Sequence, residues 1–189
     1  KQQAPAIVGN AADDGLGRSV ALSADTRTLV VGAPGDYDNT DRKGYVRVYH
    51  TDKDDGSRIG QTIYGNAIGD LFGWSVDITT EGNNIVLGAP GYYNNTDRPG
   101  YVRVYSLVSN DEAGDDTWNQ IGQDIVGEAD GDEFGYSVSE FGNLRFFNRR
   151  QAGDLIGSFN SSEPIPSFLD FRWSNYGFGT SWDWLDDPL

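Results

Sequence analysis

A near-duplication inside the chain limits its fold more than any other feature. Gly32-Ala33-Pro34 recurs as Gly88-Ala89-Pro90, and Tyr45-Val46-Arg47-Val48-Tyr49 recurs as Tyr101-Val102-Arg103-Val104-Tyr105, both at a step of 56 residues. Residues 7–51 and 63–107 share 24 identities in 45 positions. A third copy opens at Ile125-Val126-Gly127, 62 residues after Ile63, and the added length lies between Ser109 and Asp116. It runs through Phe134-Gly135-Tyr136-Ser137-Val138 and then degrades, because Asn148-Arg149-Arg150 stand where Gly-Ala-Pro is expected. Units of this length cannot bury an apolar face alone, so consecutive copies must stack on one another.

Each copy reads as four short strands. In Arg18–Leu22, Val20 and Leu22 share one face at period two. Thr28–Val31 is a continuous apolar run of the kind covered on both sides. Tyr45–Tyr49 alternates Val46 and Val48 against Tyr45, Arg47 and Tyr49, and Ile59–Ile63 leads into the next copy. Glycine with Asp and Asn punctuates all four, as tight turns require. Four antiparallel strands per repeat is the size of a β-propeller blade. The predicted class is therefore all-β, a partial or open propeller of about two to three blades. The repeats occupy 1–140, with blades near 7–58 and 59–118 and a partial one at 119–140. Residues 141–189, rich in aromatics, form either a degenerate repeat or a capping tail.

The motifs Leu16-Gly17…Gly32-Ala33-Pro34 and Phe72-Gly73…Gly88-Ala89-Pro90, each preceded by an aspartate (Asp14, Asp70), resemble FG-GAP repeats. Asp132 with Phe134-Gly135 continues the pattern. The resemblance implies the propeller of integrin α chains and of many secreted proteins. It covers residues 7 to about 140, with Leu16 standing where Phe is usual. Most of these motif residues have structural work to do. Gly32, Ala33, Gly88 and Ala89 allow close backbone approach, and Pro34 and Pro90 end a strand where no ladder donor is needed. Phe72 and Phe134 are expected as wedges between blades. Asp14, Asp70 and Asp132 are expected to fix turns by accepting backbone N–H bonds.

In an up-and-down blade, the loops after the second and fourth strands lie on one side. That side gathers Gly35–Arg42 and Gly91–Arg98 with the turns at Asp13-Asp14, Gly69-Asp70 and Asp130-Gly131-Asp132. The resemblance makes this the ligand-binding face. Tyr37, Tyr92 and Tyr93 would supply rigid amphipathic area, and Asp36, Asp38, Asp41 and Asp97 acceptors for a basic or hydroxyl-rich partner. The plainer reading of Asn-Thr-Asp-Arg is a repeated turn holding a local Asp–Arg pair.

Charge and composition remove several functions. With 14 basic and 29 acidic residues the net charge is −15, which disfavours nucleic acid and anionic membranes. No cysteine is present and His50 is the sole histidine, so thiolate sites, cysteine nucleophiles and histidine clusters are excluded within one chain. No apolar run reaches the roughly 18 to 20 residues of a membrane helix. No phosphate loop or nucleophile elbow appears, and the expectation is a protein that is not an enzyme.

Calcium is the cofactor the resemblance suggests, through an Asp-rich loop between the first two strands. Here the corresponding turns, Ser23–Arg27 and Thr80–Asn84, are short and hold one carboxylate each, so that site is not carried over. Asp130, Asp132 and Glu133 are weak candidates for a loose cation. Asn94-Asn95-Thr96 and Asn160-Ser161-Ser162 match the N-glycosylation pattern, which suits a secreted setting.

Together these readings lead to an expected extracellular or cell-surface adhesion module that binds protein or glycan. The alternatives are an accessory propeller of a secreted hydrolase and a passive scaffold. An open array also leaves a blade face bare at each end. On the order of 400 Å² of apolar area per face would forgo about 10 kcal/mol. Gln2 and Ile7-Val8-Gly9 align with the fourth-strand region before a repeat, so the expected partner for the bare faces is the rest of a larger propeller or another copy of the chain.

Overall fold

A computed structural model describes residues 5–35, 43–53, 55–91, 98–109, 116–139, 143–147 and 155–160. Among them there is no helix, and the strands form three antiparallel sheets. The first sheet has the order β1 (Ser19–Leu22), β2 (Thr28–Ala33), β3 (Tyr45–His50), β4 (Ile63–Tyr64). The second has β5 (Ser75–Ile78), β6 (Asn84–Ala89), β7 (Tyr101–Val108), β8 (Thr117–Val126). Register repeats at the step of the sequence: Gly32 faces Val46 and Gly88 faces Val102. Strand β1 packs beside β5, and β5 beside β9 (Ser137–Ser139), which is the side-by-side arrangement of propeller blades. The third copy continues past Val138. Strands β10 (Asn143–Phe147) and β11 (Leu155–Asn160) add to β9 in the order β11-β10-β9, and both lie in the stretch read from sequence as a degenerate repeat or a capping tail.

The fourth strand differs from its sequence assignment. Ile59–Ile63 is not one continuous strand. Arg58 bridges Tyr49, and Ile59 donates its N–H to the Val48 carbonyl at 2.9 Å. The ladder then breaks and resumes where Ile63 pairs with Val46. Gly60 stands in the gap with a φ of 70°. The second blade repeats the irregularity. Its register shifts between Val102 and Val104, opposite Gly122 at a φ of 69°. A left-handed residue in a bulge is tolerated by glycine and strained in other residues, so the bulge repeats along with its glycine.

The core lies in the seams between blades. One buried cluster joins Val30, Val46, Val48 and Ile63 of the first blade to Phe72, Val76, Ile78, Ile85 and Leu87 of the second. The other joins Val86, Val102, Val104 and Ile125 of the second blade to Phe134 and Val138 of the third. Phe72 and Phe134 are thus the wedges expected of them, each worth about 1.5 to 3 kcal/mol of burial. Their backbones bridge Gly44 and Gly100 of the preceding blade.

Repetition of sequence does not mean repetition of burial. Val76 and Ile78 are 8% and 6% exposed against the first blade, whereas their counterparts Val20 and Leu22 are 61% and 50% exposed.

Candidate functional site

The end of the blades that carries the interstrand loops is built on one turn used three times. Asp14, Asp70 and Asp132 occupy its centre, and the residues on either side take left-handed backbone. Asp13, Gly69 and Gly131 precede at φ of 62°, 82° and 75°, and Gly15, Leu71 and Glu133 follow at 67°, 55° and 56°. Two left-handed residues around one aspartate fold the chain back so that the carboxylate faces its own backbone. Asp14 accepts the N–H groups of Asn10 at 2.6 Å, Ala11 at 3.3 Å and Leu16 at 3.1 Å. Asp70 accepts Ala67 at 2.7 Å and Asp132 accepts Ala129 at 2.9 Å. The three aspartates therefore fix turns, as their positions in the repeat suggest.

A tyrosine from the third strand of the blade ties the turn to the sheet. Tyr45 donates its hydroxyl to Asp14 at 2.5 Å and accepts the Asn10 N–H at 3.1 Å; Tyr101 donates to Asp70 at 3.0 Å. Burial raises the Tyr45 pKa, the hydrogen bond to Asp14 adds to it, and the phenol is pushed up to about 12. Burial also works against the charge on Asp14, but the Tyr45 hydroxyl and three backbone donors outweigh it, and the carboxyl is held below its usual range.

The same turns anchor the stems of the loops after the second strands. Gly35 donates its N–H to the Asp14 carbonyl at 2.9 Å, Gly91 to that of Asp70 at 3.0 Å, and Gly131 to that of Arg98 at 2.9 Å. The two sets of loops assigned to one side from topology are thus joined there by backbone bonds. Arg98 also forms an ion pair with Asp70. That pairing crosses from one loop to another, where the sequence suggested a pair local to Asn-Thr-Asp-Arg. Its only sequence signal was an arginine at the same place in both loops.

The proposed contact residues themselves, Asp36, Tyr37, Asp38, Asp41, Tyr92, Tyr93 and Asp97, lie outside the described residues, as does Asn94. Asn160 ends strand β11, opposite Asn143. The cation candidates are not brought together. Among the described residues no three His, Asp or Glu side chains are arranged to hold a metal ion, so Asp130, Asp132 and Glu133 do not make such a group. The reason is local, because the Asp132 carboxylate is turned onto Ala129. The turns between the first two strands close on themselves as well. Asp25 accepts the Ser23 hydroxyl at 2.6 Å and the Arg27 N–H at 3.0 Å, and Thr79 takes the N–H groups of Asn83 and Asn84.

The Gly-Ala-Pro and Phe-Gly motifs meet at the seams and not at the loop surface. Ser19 donates its hydroxyl to the Gly73 carbonyl at 2.7 Å, and Ser75 to that of Gly135 at 2.8 Å. Gly17 and Gly73 donate their N–H groups to the carbonyls of Gly32 and Gly88 at 2.9 and 3.0 Å. Ala33, Ala89 and Pro34 are fully buried, and Pro90 follows Ala89 as a buried residue. No helix among the described residues is long and apolar enough to cross a membrane.

Residues 8–49 match the family model described as the FG-GAP repeat. The match covers the first blade from its leading turn to its third strand. No curated protein matches the chain.

Proposed function

We propose that this FG-GAP repeat chain is an extracellular, non-enzymatic propeller segment that binds protein or glycan through its loop end. One observation supports the reading most. Gly35 and Gly91 bond the start of each loop to the aspartate turn of its own blade, and Phe72 and Gly131 bond the next blade's turn to the loop's far end at Lys43 and Arg98, so the stems of neighbouring loops share one base. Loops whose stems are held by a scaffold in this way suit recognition, since binding residues are commonly carried on loops positioned by a framework of strands. Asp36, Tyr37, Asp38, Asp41 and their counterparts Tyr92, Tyr93 and Asp97 would make the contacts. The site asks for no cofactor. The glycosylation patterns at Asn94 and Asn160 favour a secreted setting.

The test is a glycan and extracellular-protein array probed with the chain and with a variant carrying Tyr37→Ala, Tyr92→Ala and Tyr93→Ala. Specific binding lost in the variant is the expected result. Signals no higher than background would leave a scaffold without a ligand, and turnover of polysaccharides or esters would replace the reading with a hydrolase.

A further inference from the structure

The first two blades carry an arginine at the same place in the third strand, and the two arginines have different surroundings. In the second blade Arg103 is buried, with Nε and Nη2 donating to the two carboxylate oxygens of Asp124 at 2.7 and 2.8 Å. Asp124 also accepts from Gln120 and Asn66. On the same strand Trp118, fully buried, donates its indole N–H to the Ile59 carbonyl of the first blade at 3.0 Å.

In the first blade Arg47 keeps half of this arrangement. Its Nη1 donates to the Val8 carbonyl at 3.2 Å, as Arg103 does to the Tyr64 carbonyl at 3.4 Å. Its Nη2 pairs with Asn10. At the step of 62 residues, however, Thr62 replaces Asp124 and Gly56 replaces Trp118. The Arg47 Nε is buried with no hydrogen-bond partner. An open groove of about 290 Å³ remains, walled by Pro5, Ile7, Val8 and Tyr49 and carrying Arg47 and Arg58.

Both losses define what fits. The Arg47 guanidinium, with Arg58 beside it donating to the Thr62 hydroxyl at 3.0 Å, calls for an anion, and the second blade fills the corresponding place with the Asp124 carboxylate. The apolar wall beside Gly56, where the neighbouring blade has an indole, calls for a ring. We propose that this groove binds an acidic peptide segment of a partner protein, with a carboxylate on the Arg47 Nε–H and an aromatic side chain over Gly56. The groove lies apart from the loop end, and the proposal does not rest on ligand binding there.

The experiment is an NMR titration of the whole chain with the peptide Ac-Asp-Trp-NH2, following the Arg47 Nε–H signal and the amides of Val8 and Arg58. Ac-Asn-Trp-NH2 and acetate serve as controls. A saturable shift is expected, about tenfold weaker for the Asn peptide, since a hydrogen bond to a charged group is worth that ratio. Thr62→Asp supplies the missing carboxylate in cis and should weaken the Asp peptide by about tenfold or more. An unchanged Arg103 Nε–H signal in that variant verifies its fold. Equal binding of the two peptides, undiminished binding to Thr62→Asp, or no shift at Arg47 would overturn the proposal. So would acetate matching the peptide, or an Arg47 Nε–H as protected in the free chain as that of Arg103.

Discussion

Gly32 lies against Gly73 of the next blade so closely that a Cβ built on Gly32 would stand 2.1 Å from the Gly73 carbonyl oxygen. Gly88 and Gly135 repeat the relationship at 2.1 Å. The glycine of Gly-Ala-Pro and the glycine of Phe-Gly are therefore two sides of one seam. The first gives up its side chain so that the second can bring its carbonyl to the serine of the preceding blade. The motif is a record of how blades stack.

Replacing Gly32 by Ala should accordingly cost more than replacing Gly17. The Gly32 side chain would meet backbone, which cannot turn aside, and overpacking of this kind costs about 1 to 3 kcal/mol or more. Gly17 has no atom within 4 Å of a built Cβ, but its φ is 91°. That leaves only backbone strain, about 1 kcal/mol. Urea midpoints of the two variants would decide the order, and a Gly17→Ala loss exceeding that of Gly32→Ala would contradict the seam.

Asp13→Gly should raise stability by about 0.5 to 1 kcal/mol. Asp13 is exposed and left-handed, and the other two copies of the turn already place Gly69 and Gly131 at this position. Thermal unfolding of the variant is the measurement, with a higher midpoint expected.

Trp118→Phe isolates the polar part of an otherwise apolar contact. Phenylalanine retains most of the burial between the blades. It leaves the Ile59 carbonyl without the indole donor that reaches it at 3.0 Å. The expected loss is about 1 to 3 kcal/mol, against about 3 to 5 kcal/mol for Trp118→Ala. Equal losses in the two variants would show that the hydrogen bond dominates and the packing does not.

Stability should fall at both ends of the pH scale for reasons that can be separated. Asp14 and Asp124 have folded-state pKa values below the ordinary carboxylate range. Both are opposed by burial and lowered chiefly by their hydrogen bonds, to Tyr45 and to Arg103 respectively. Their contribution is complete above the unfolded value of about 3.9 and is lost as pH falls through the depressed one. Tyr45 has the opposite sign. Its contribution is present below the unfolded value of about 10 and is lost as pH rises toward about 12. Denaturant titrations across pH should show a plateau between these limits. Asp14→Asn should lower the plateau and flatten the acid limb.

How much of this was legible in the sequence depended on whether a feature repeats. The strands β1 to β3 and the Phe72 wedge follow from two copies in step. The bulge at Gly60 does repeat, at Gly122, but at a step of 62 residues instead of 56, and a glycine within Ile59–Ile63 has the same spelling in a straight strand as in a left-handed one. The third sheet was only partly visible, since β10 and β11 have lost the Gly-Ala-Pro that marks them while keeping the pairing. Val20 and Leu22 carry the alternation of a buried face and stand exposed, because burial needs a neighbour and a pattern within one copy does not report whether one is there. The Arg103–Asp124 pair escaped notice because the Ser109–Asp116 insertion hides the alignment of the fourth strands.

Those two arginines provide the sharpest comparison between copies. Arg103→Lys removes a fork that grips both oxygens of Asp124, and a lysine cannot reproduce two parallel donors. It also removes the plane that lies 4.8 Å from the Tyr101 ring centroid. The charge on Asp124 would then be half-buried with a poorer partner, at a cost of about 2 to 4 kcal/mol. Arg47→Lys removes no such fork, because the Nε has no partner to lose. What remains is one bond to the Val8 carbonyl and one to Asn10, both at the surface, with a guanidinium 4.8 Å from the Tyr45 ring centroid that matches the one over Tyr101, so the contrast between the two variants rests on the fork alone and a loss within about 1 kcal/mol is expected. Combining Thr62→Asp with each background makes the contrast quantitative. The aspartate should stabilise the chain that keeps Arg47 and gain much less in the Arg47→Lys background, since the bidentate geometry belongs to the guanidinium and a single ammonium lacks it. Equal gains in both backgrounds would mean that the empty place beside Arg47 is not the counterpart of the Asp124 site.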